Sequence, residues 1–426
     1  MRTGLLIMAA CLLAACANPT TGEPHPANAL DYPVAITADP SGRYVWVSSG
    51  NFDLSYRGGA VLAVDVATNR FVGDREATDA ALPGVAQVGG FPGPVHLLQR
   101  EGEAVSAYVL SRADDSLYHL TITDDDGAPR LSCAGESVQE NGVIACPSSG
   151  AFQGGLYPQD GEPVEATLGS DPFGAIIHHA RDGEDQDLLL TGGMLDGALT
   201  MFGLGSDGAP RLLDQLTINT GLFAFVESPS TGHIITAHKS LNVFSVLQVV
   251  PTPADEADPT LYDTPTLQVL KTLVIPASAV QDHVRGMAVS ADGSRLYAAY
   301  RSPSSLLVVD ISAGAEVSAD ERLLAKIPVG GSPGSVVAVP ADDTHPAELV
   351  YVSAYSGDRV DVVDPNLGLV VDSIATGHGP FGMAHVQNRE LGIDRLYVGL
   401  FHDQSVAVIE LDSASPYHHT VIAEIR

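Results

Sequence analysis

The chain is short of positive charge. Its 21 Lys and Arg stand against 52 Asp and Glu, giving a formal net charge of −31 with His neutral. A phosphate backbone is repelled by that field, which excludes nucleic acid as a partner. Cysteine is scarce, with four in 426 residues, and neither a thiolate zinc cluster, a CxxCH haem attachment nor an HExxH motif is present. Beyond the amino terminus no apolar run reaches the roughly 18 residues of a membrane-spanning helix. Long helices are excluded too, because 43 Gly and 28 Pro interrupt the chain at close intervals. What remains is ample apolar material, 45% of residues, which excludes disorder as the dominant state.

The amino terminus reads as an address. Arg2 precedes an apolar stretch from Leu5 to Leu13 and the small residues Ala14 and Ala15, the layout of a secretory signal. Leu13, Ala14, Ala15 and Cys16 resemble the lipobox of bacterial lipoproteins. That resemblance implies a signal peptide over 1–16, cleavage before Cys16 and acylation of its thiol, so that the mature chain is held on the bacterial membrane of the cell envelope. The outer membrane is favoured where the host has one, because Ala17 and Asn18 lack the Asp of inner-membrane retention. With Cys11 lost and Cys16 lipidated, Cys133 and Cys146 remain as an even pair, which predicts one disulfide. Residues 17–32, rich in Pro, Thr, Ala and Asn, read as a flexible tether.

The body repeats. A Gly- and Pro-rich turn recurs as GGFPGPV at Gly89, GSDPFGA at Gly169, GGSPGSV at Gly330 and GHGPFGM at Gly377. Alignment on it places register positions at Pro33, Pro92, Pro172, Phe223, Val284, Pro333 and Pro380. Seven units follow, at about 33–91, 92–171, 172–222, 223–283, 284–332, 333–379 and 380–426. Inside a unit the apolar pattern has the period of strands. RLYVGLF from Arg395 precedes SVAVIEL from Ser405, as LVYVSAY from Leu349 precedes RVDVVD from Arg359. LLAKIPVG from Leu323, VVDSIATG from Val370 and TVIAEIR from Thr420 complete sets of four strands. The expected fold is all-β: one seven-bladed β-propeller of four-stranded antiparallel blades over 33–426. DPSGRYVWVSS from Asp39 and AVLAVDVATNRFV from Ala60 resemble the YVTN family of propeller repeats, which is related to lactonase-like propellers. The likeness is strongest in the first unit and the last three. It implies a WD40/YVTN-like propeller and leaves function open.

An insertion at 135–168 has two placements. If RLSC from Arg130 closes its unit, the insertion overhangs the ligand face as a lid; if EATL from Glu165 does, it lies on the opposite face. Two catalytic motifs match by accident. Gly203, Gly205 and Gly208 fit a dinucleotide fingerprint but sit in a hairpin with no following helix. Gly330, Ser332 and Gly334 fit a nucleophile elbow, yet their turn recurs elsewhere without Ser.

In a propeller, the turns between second and third strands share one face with the unit-to-unit turns. That face is expected to gather His96, Arg112, Asp114, His178, His238, His283, Arg285, Arg301, Tyr355, Arg359, His378, His385 and His402. So many His suggest a His-bound transition metal or an anionic ligand; singly, each His reads as a bond to a backbone carbonyl, and in a hydrolase Arg301 and Arg359 are the residues to hold an anionic substrate. The acidic runs Asp124–Asp126, Asp182–Asp187 and Asp255–Asp258 suit Ca²⁺ or plain turn chemistry. The sequence points first to a non-enzymatic lipoprotein whose propeller face binds a protein, a glycan, a cell-wall component or a small molecule. The alternatives are a lactonase-type hydrolase of small lactones or esters with His and Asp as acid and base, and a His-ligated metal or redox protein.

Overall fold

Short runs rich in β-branched and aromatic residues, such as Tyr44–Ser49 and Leu349–Ala354, form strands that are buried almost throughout. Both faces of each sheet are covered by neighbouring sheets, so the alternation of a half-exposed strand is lost. The computed structural model describes residues 22–74, 81–125, 127–148, 155–159, 162–166, 168–181, 186–250, 265–274, 284–312 and 322–426. Among them, six sheets have four antiparallel strands in chain order. Sheet 2 spans Pro92 to Cys133, sheet 3 Pro172 to Thr217, sheet 4 Leu222 to Val274, sheet 5 Val284 to Pro328, sheet 6 Pro333 to Ala375 and sheet 7 Pro380 to Ile425. Their first strands touch one another in succession, and the first strands of sheets 7 and 2 both touch Pro33–Ala38 of sheet 1, closing a ring. This is a β-propeller.

Sheet 1 departs from the expected four strands, so the count of four-stranded blades is corrected from seven to six. It contains Pro33–Ala38, Tyr44–Ser49, Ala60–Asp65 and Val85–Gln87 in antiparallel order, with Arg70–Phe71 beside the third. Ile144–Ala145 then adds in parallel to Val85–Gln87, followed by Ser137–Val138, making seven strands. The reason is the insertion. Ala128–Cys133 closes sheet 2, and Cys133 is disulfide-bonded to Cys146 with Cα atoms 5.9 Å apart. The intervening chain is thereby folded along the outer edge of sheet 1, and the expected lid is not formed by this part. Gly155–Gln159 and Glu162–Ala166 make a separate hairpin.

Part of the expected tether is docked. Glu23 pairs with Tyr56, and the buried His25 places Nε2 2.9 Å from Ser49 Oγ. Asn141 donates to the His25 carbonyl at 2.8 Å. Burial lowers the His25 imidazole to about 4. Residues 22–32 are therefore a strap on sheet 1, while Cys16 and the rest of the tether lie outside the described residues.

Two features hold the ring. Apolar seams join adjacent sheets, as where Tyr297, Leu306, Val350 and Val352 meet without solvent, each such side chain contributing about 2 kcal/mol. Inner strands also approach so closely that a Cβ on Gly174 or Gly286 would collide with the carbonyl of Phe223 or Gly334.

Candidate functional site: the axial pocket and its mouth

Each described connector enters its inner strand through a left-handed residue: Tyr32 (φ 52°), Phe91 (54°), Asp171 (57°), Gly221 (88°), Ser332 (53°) and Gly379 (69°). For non-glycine residues this costs about 1–2 kcal/mol. Because Ser332 shares the conformation with Tyr32, Phe91 and Asp171, its strain belongs to the repeat and not to a nucleophile elbow.

A register shift follows directly at the start of every inner strand. Such bulges re-aim the side chain beside them. Here they turn one repeat position towards the axis: Val34, Phe173, Phe223, Arg285, Gly334 and Phe381, with Pro94 serving for sheet 2. Arg301, at the end of a second strand, joins them around a cavity of about 230 Å³.

The chemistry of this pocket is cationic and aromatic. Phe173 and Phe223 stack with centroids 4.6 Å apart and planes 17° from parallel. Arg285 lies over Phe223 at 5.2 Å and Arg112 over Phe173 at 6.0 Å, both within cation–π range. Arg112 also pairs with Asp171, Nη2 to Oδ2 at 3.0 Å, and Arg301 Nε donates to the Pro333 carbonyl at 3.2 Å. Two guanidinium groups and three Phe rings line the pocket, and no carboxylate or imidazole does so among the described residues. Around the mouth, Phe401 meets Tyr32 at 5.0 Å, Phe52 at 5.2 Å and Phe381 at 6.0 Å. Phe52 meets Phe91 at 4.7 Å, and the Tyr355 hydroxyl lies 2.9 Å from His402 Nε2.

Of the residues expected on this face, Arg112, Arg285, Arg301, Tyr355 and His402 are brought together around the pocket or its collar. Others hold the scaffold. His238 is buried with Nδ1 3.0 Å from the Thr220 carbonyl and Nε2 2.9 Å from Ser245 Oγ, and burial lowers its pKa. Asp114 accepts the Tyr118 hydroxyl at 2.7 Å, and Arg359 donates to the buried Asp361 at 2.7 Å. Turn carboxylates pin connectors: Asp196 accepts the Ser170 amide at 2.7 Å, Asp358 that of Gly379 at 3.0 Å and Asp403 that of His378 at 2.6 Å. His378 is exposed, and its bond to Asp403 at 2.9 Å raises its pKa.

Three expectations need correction, because His96, His178 and His385 sit beyond the start of their inner strands and leave the mouth. His178 bonds Glu227 at 2.8 Å and His385 bonds Asp394 at 2.8 Å, at the opposite end of the axis. Burial lowers His96 to about 4, and its Nε2 makes no hydrogen bond. His283 lies outside the described residues. Among the described residues, no three His, Cys, Asp or Glu side chains are grouped to hold a metal. Of the acidic runs, Asp124 accepts the Gly127 amide at 2.7 Å and Asp187 pairs with Arg100 at 2.8 Å; Asp126, residues 182–185 and Asp255–Asp258 lie outside.

Sequence reasoning missed Phe223 as a site residue and did not include Phe52, Phe91 or Phe401. The signal was present: the residue after each register position faces the pocket. It was hidden in sheet 4, whose inner strand begins at Leu222 instead of Phe223.

No family model and no curated protein matches the chain. Solved structures do. A 6-phosphogluconolactonase-like protein from Bacteroides uniformis is similar at TM-score 0.51 and 15% identity, over 87% of each chain. A second, from Bacteroides fragilis, reaches 0.50 at 13% identity over 81% of this chain and 85% of that one. Sqt1 from Chaetomium thermophilum reaches 0.53 at 12% identity over 95% and 88%. At such identities the likeness is one of fold: this chain is a β-propeller with lactonase-like neighbours.

Proposed function

We propose that this is a lipid-anchored envelope protein, held through Cys16, whose propeller captures a compact anion bearing an apolar or aromatic body in the axial pocket. The carrying observation is the pairing of Arg285 and Arg301 with Phe173, Phe223 and Phe381 in one cavity of about 230 Å³. Guanidinium groups bind carboxylate or phosphate through directed N–H donors, and stacked rings take the apolar part. The volume lies below the roughly 300–1,000 Å³ of drug-sized sites, which favours a small ligand over a polymer chain. Among the described residues the lining holds Arg and Phe without carboxylate or imidazole, which favours binding over acid–base catalysis.

The second reading, hydrolysis of a phosphorylated sugar lactone at the same place, is favoured by the Bacteroides neighbours. Titration calorimetry of the purified protein with aromatic carboxylates, aryl phosphates and sugar phosphates, run beside an assay of 6-phosphogluconolactone hydrolysis, separates the two. Saturable binding without turnover supports capture; turnover lost on Arg301→Met supports hydrolysis.

A further inference from the structure

The described chain begins at the mouth. The Gly22 carbonyl accepts Arg57 Nε at 2.8 Å, the Glu23 amide donates to the Ser55 carbonyl at 3.3 Å and the Arg57 amide donates to the Glu23 carbonyl at 3.0 Å. These partners lie in the loop joining Tyr44–Ser49 to Ala60–Asp65, which also carries Phe52 and Leu54, 41% and 40% exposed. Two more second-to-third turns on this face present apolar tips, Leu195 at 69% and Leu241 at 36% exposure. Exposure alone does not single out the face, because Leu367 at the far end is 66% exposed. Chain length does. Cys16 is six residues from Gly22, a span of at most about 22 Å. From Pro172 to His178 an inner strand makes six rises, about 20 Å along the axis, and the far-end turns lie beyond it. A tether from Cys16 fully extended barely covers the strand, so it holds the mouth, and not the far-end turns, nearest the bilayer.

We infer that the mouth face docks on the lipid bilayer to which Cys16 is anchored, with Phe52 and Leu54 seated at the headgroup–acyl boundary and the axial pocket opening towards the lipid surface. This rests on the anchored reading above. Phe and Leu side chains on a loop suit that boundary, and tethering replaces a weak encounter by a high local concentration of membrane.

The single Trp, Trp46, is fully buried and supplies a constant background for a fluorescence test. The full lipidated chain carrying Phe52→Trp, Leu54→Trp or Leu367→Trp is reconstituted in phosphatidylethanolamine–phosphatidylglycerol vesicles with brominated acyl chains. The expected result is loss of most of the added emission, with a shift to shorter wavelength, at positions 52 and 54 and neither change at 367. Equal quenching at both ends, or none at 52 and 54 while mass analysis shows Cys16 acylated, overturns the orientation alone. A Cys16 without acyl groups overturns the orientation together with the anchor.

Discussion

The two ends of the propeller axis are made by one repeat and do different things. At the mouth, connectors run through left-handed residues, bulges aim Arg and Phe inwards, and aromatic rings remain in reach of solvent. At the far end, turn carboxylates bond within their own turns or to neighbouring side chains. Asp39, Asp292, Asp342 and Asp364 each accept an amide two residues onward, at 2.8–2.9 Å, the self-contained geometry of Asx turns. His385 donates into the buried Asp394, which also accepts the Thr344 hydroxyl at 3.2 Å. Closed networks of this kind add rigidity. Strain and unspent aromatic surface, by contrast, mark the end where the proposed ligand site lies.

The largest expected effect of a mouth substitution is that of Gly286→Ala. Its Cβ meets the backbone carbonyl of Gly334, and overpacking against backbone costs about 3 kcal/mol. Urea denaturation should show that loss, and ligand binding should weaken with it because Gly286 lines the pocket.

A pH series sharpens the role of the strap. The folded state holds His25 at about 4, below the ordinary 6.5, so the unfolded chain takes the proton first and stability falls as pH drops from 6.5 to 4. The full effect is about 3 kcal/mol. Asp31 works in the opposite sense: burial and the nearby Asp53 push it up to about 6, and its protonation favours the fold as pH falls. Comparing thermal unfolding of the wild type with His25→Gln across this range isolates the first contribution, and the variant should lose less stability on acidification.

Asp394→Asn is the matching substitution at the far end. It weakens the bonds to His385 and Thr344 in a buried setting, at about 2 kcal/mol. Its Tm should fall while pocket affinity stays unchanged. The smallest effect belongs to Ser332→Gly, which relieves a left-handed Ser and should stabilise the protein by up to about 1 kcal/mol. Any hydrolysis should survive that change, as a nucleophile at Ser332 would not.

Strands and ring order were legible because they rest on patterns that repeat: alternation within strands and the Gly–Pro turn between units. Cys133–Cys146 was legible by counting. The site was legible only in part. Arg285, Arg301 and Tyr355 fall where loop topology sends them, but His96, His178 and His385 were assigned to the wrong part of the axis because an inner strand crosses its full depth. Phe173 and Phe223 meet through backbone bulges, which leave no residue signature of their own. Tyr32 and Phe91 occupy left-handed positions that sequence rules reserve for Gly, and those positions help build the collar. Sheet 1 exceeded four strands because a disulfide-closed insertion found its unpaired edge.

Calorimetric titration with an aryl phosphate tests the division between the two ends most directly when the wild type, Arg285→Met/Arg301→Met and Asp394→Asn are compared under one set of conditions. The expected result is at least about tenfold weaker binding in the double Arg variant and unchanged binding in Asp394→Asn. Affinity that ignores both guanidinium groups, or that falls with Asp394, would contradict an axial site at the mouth.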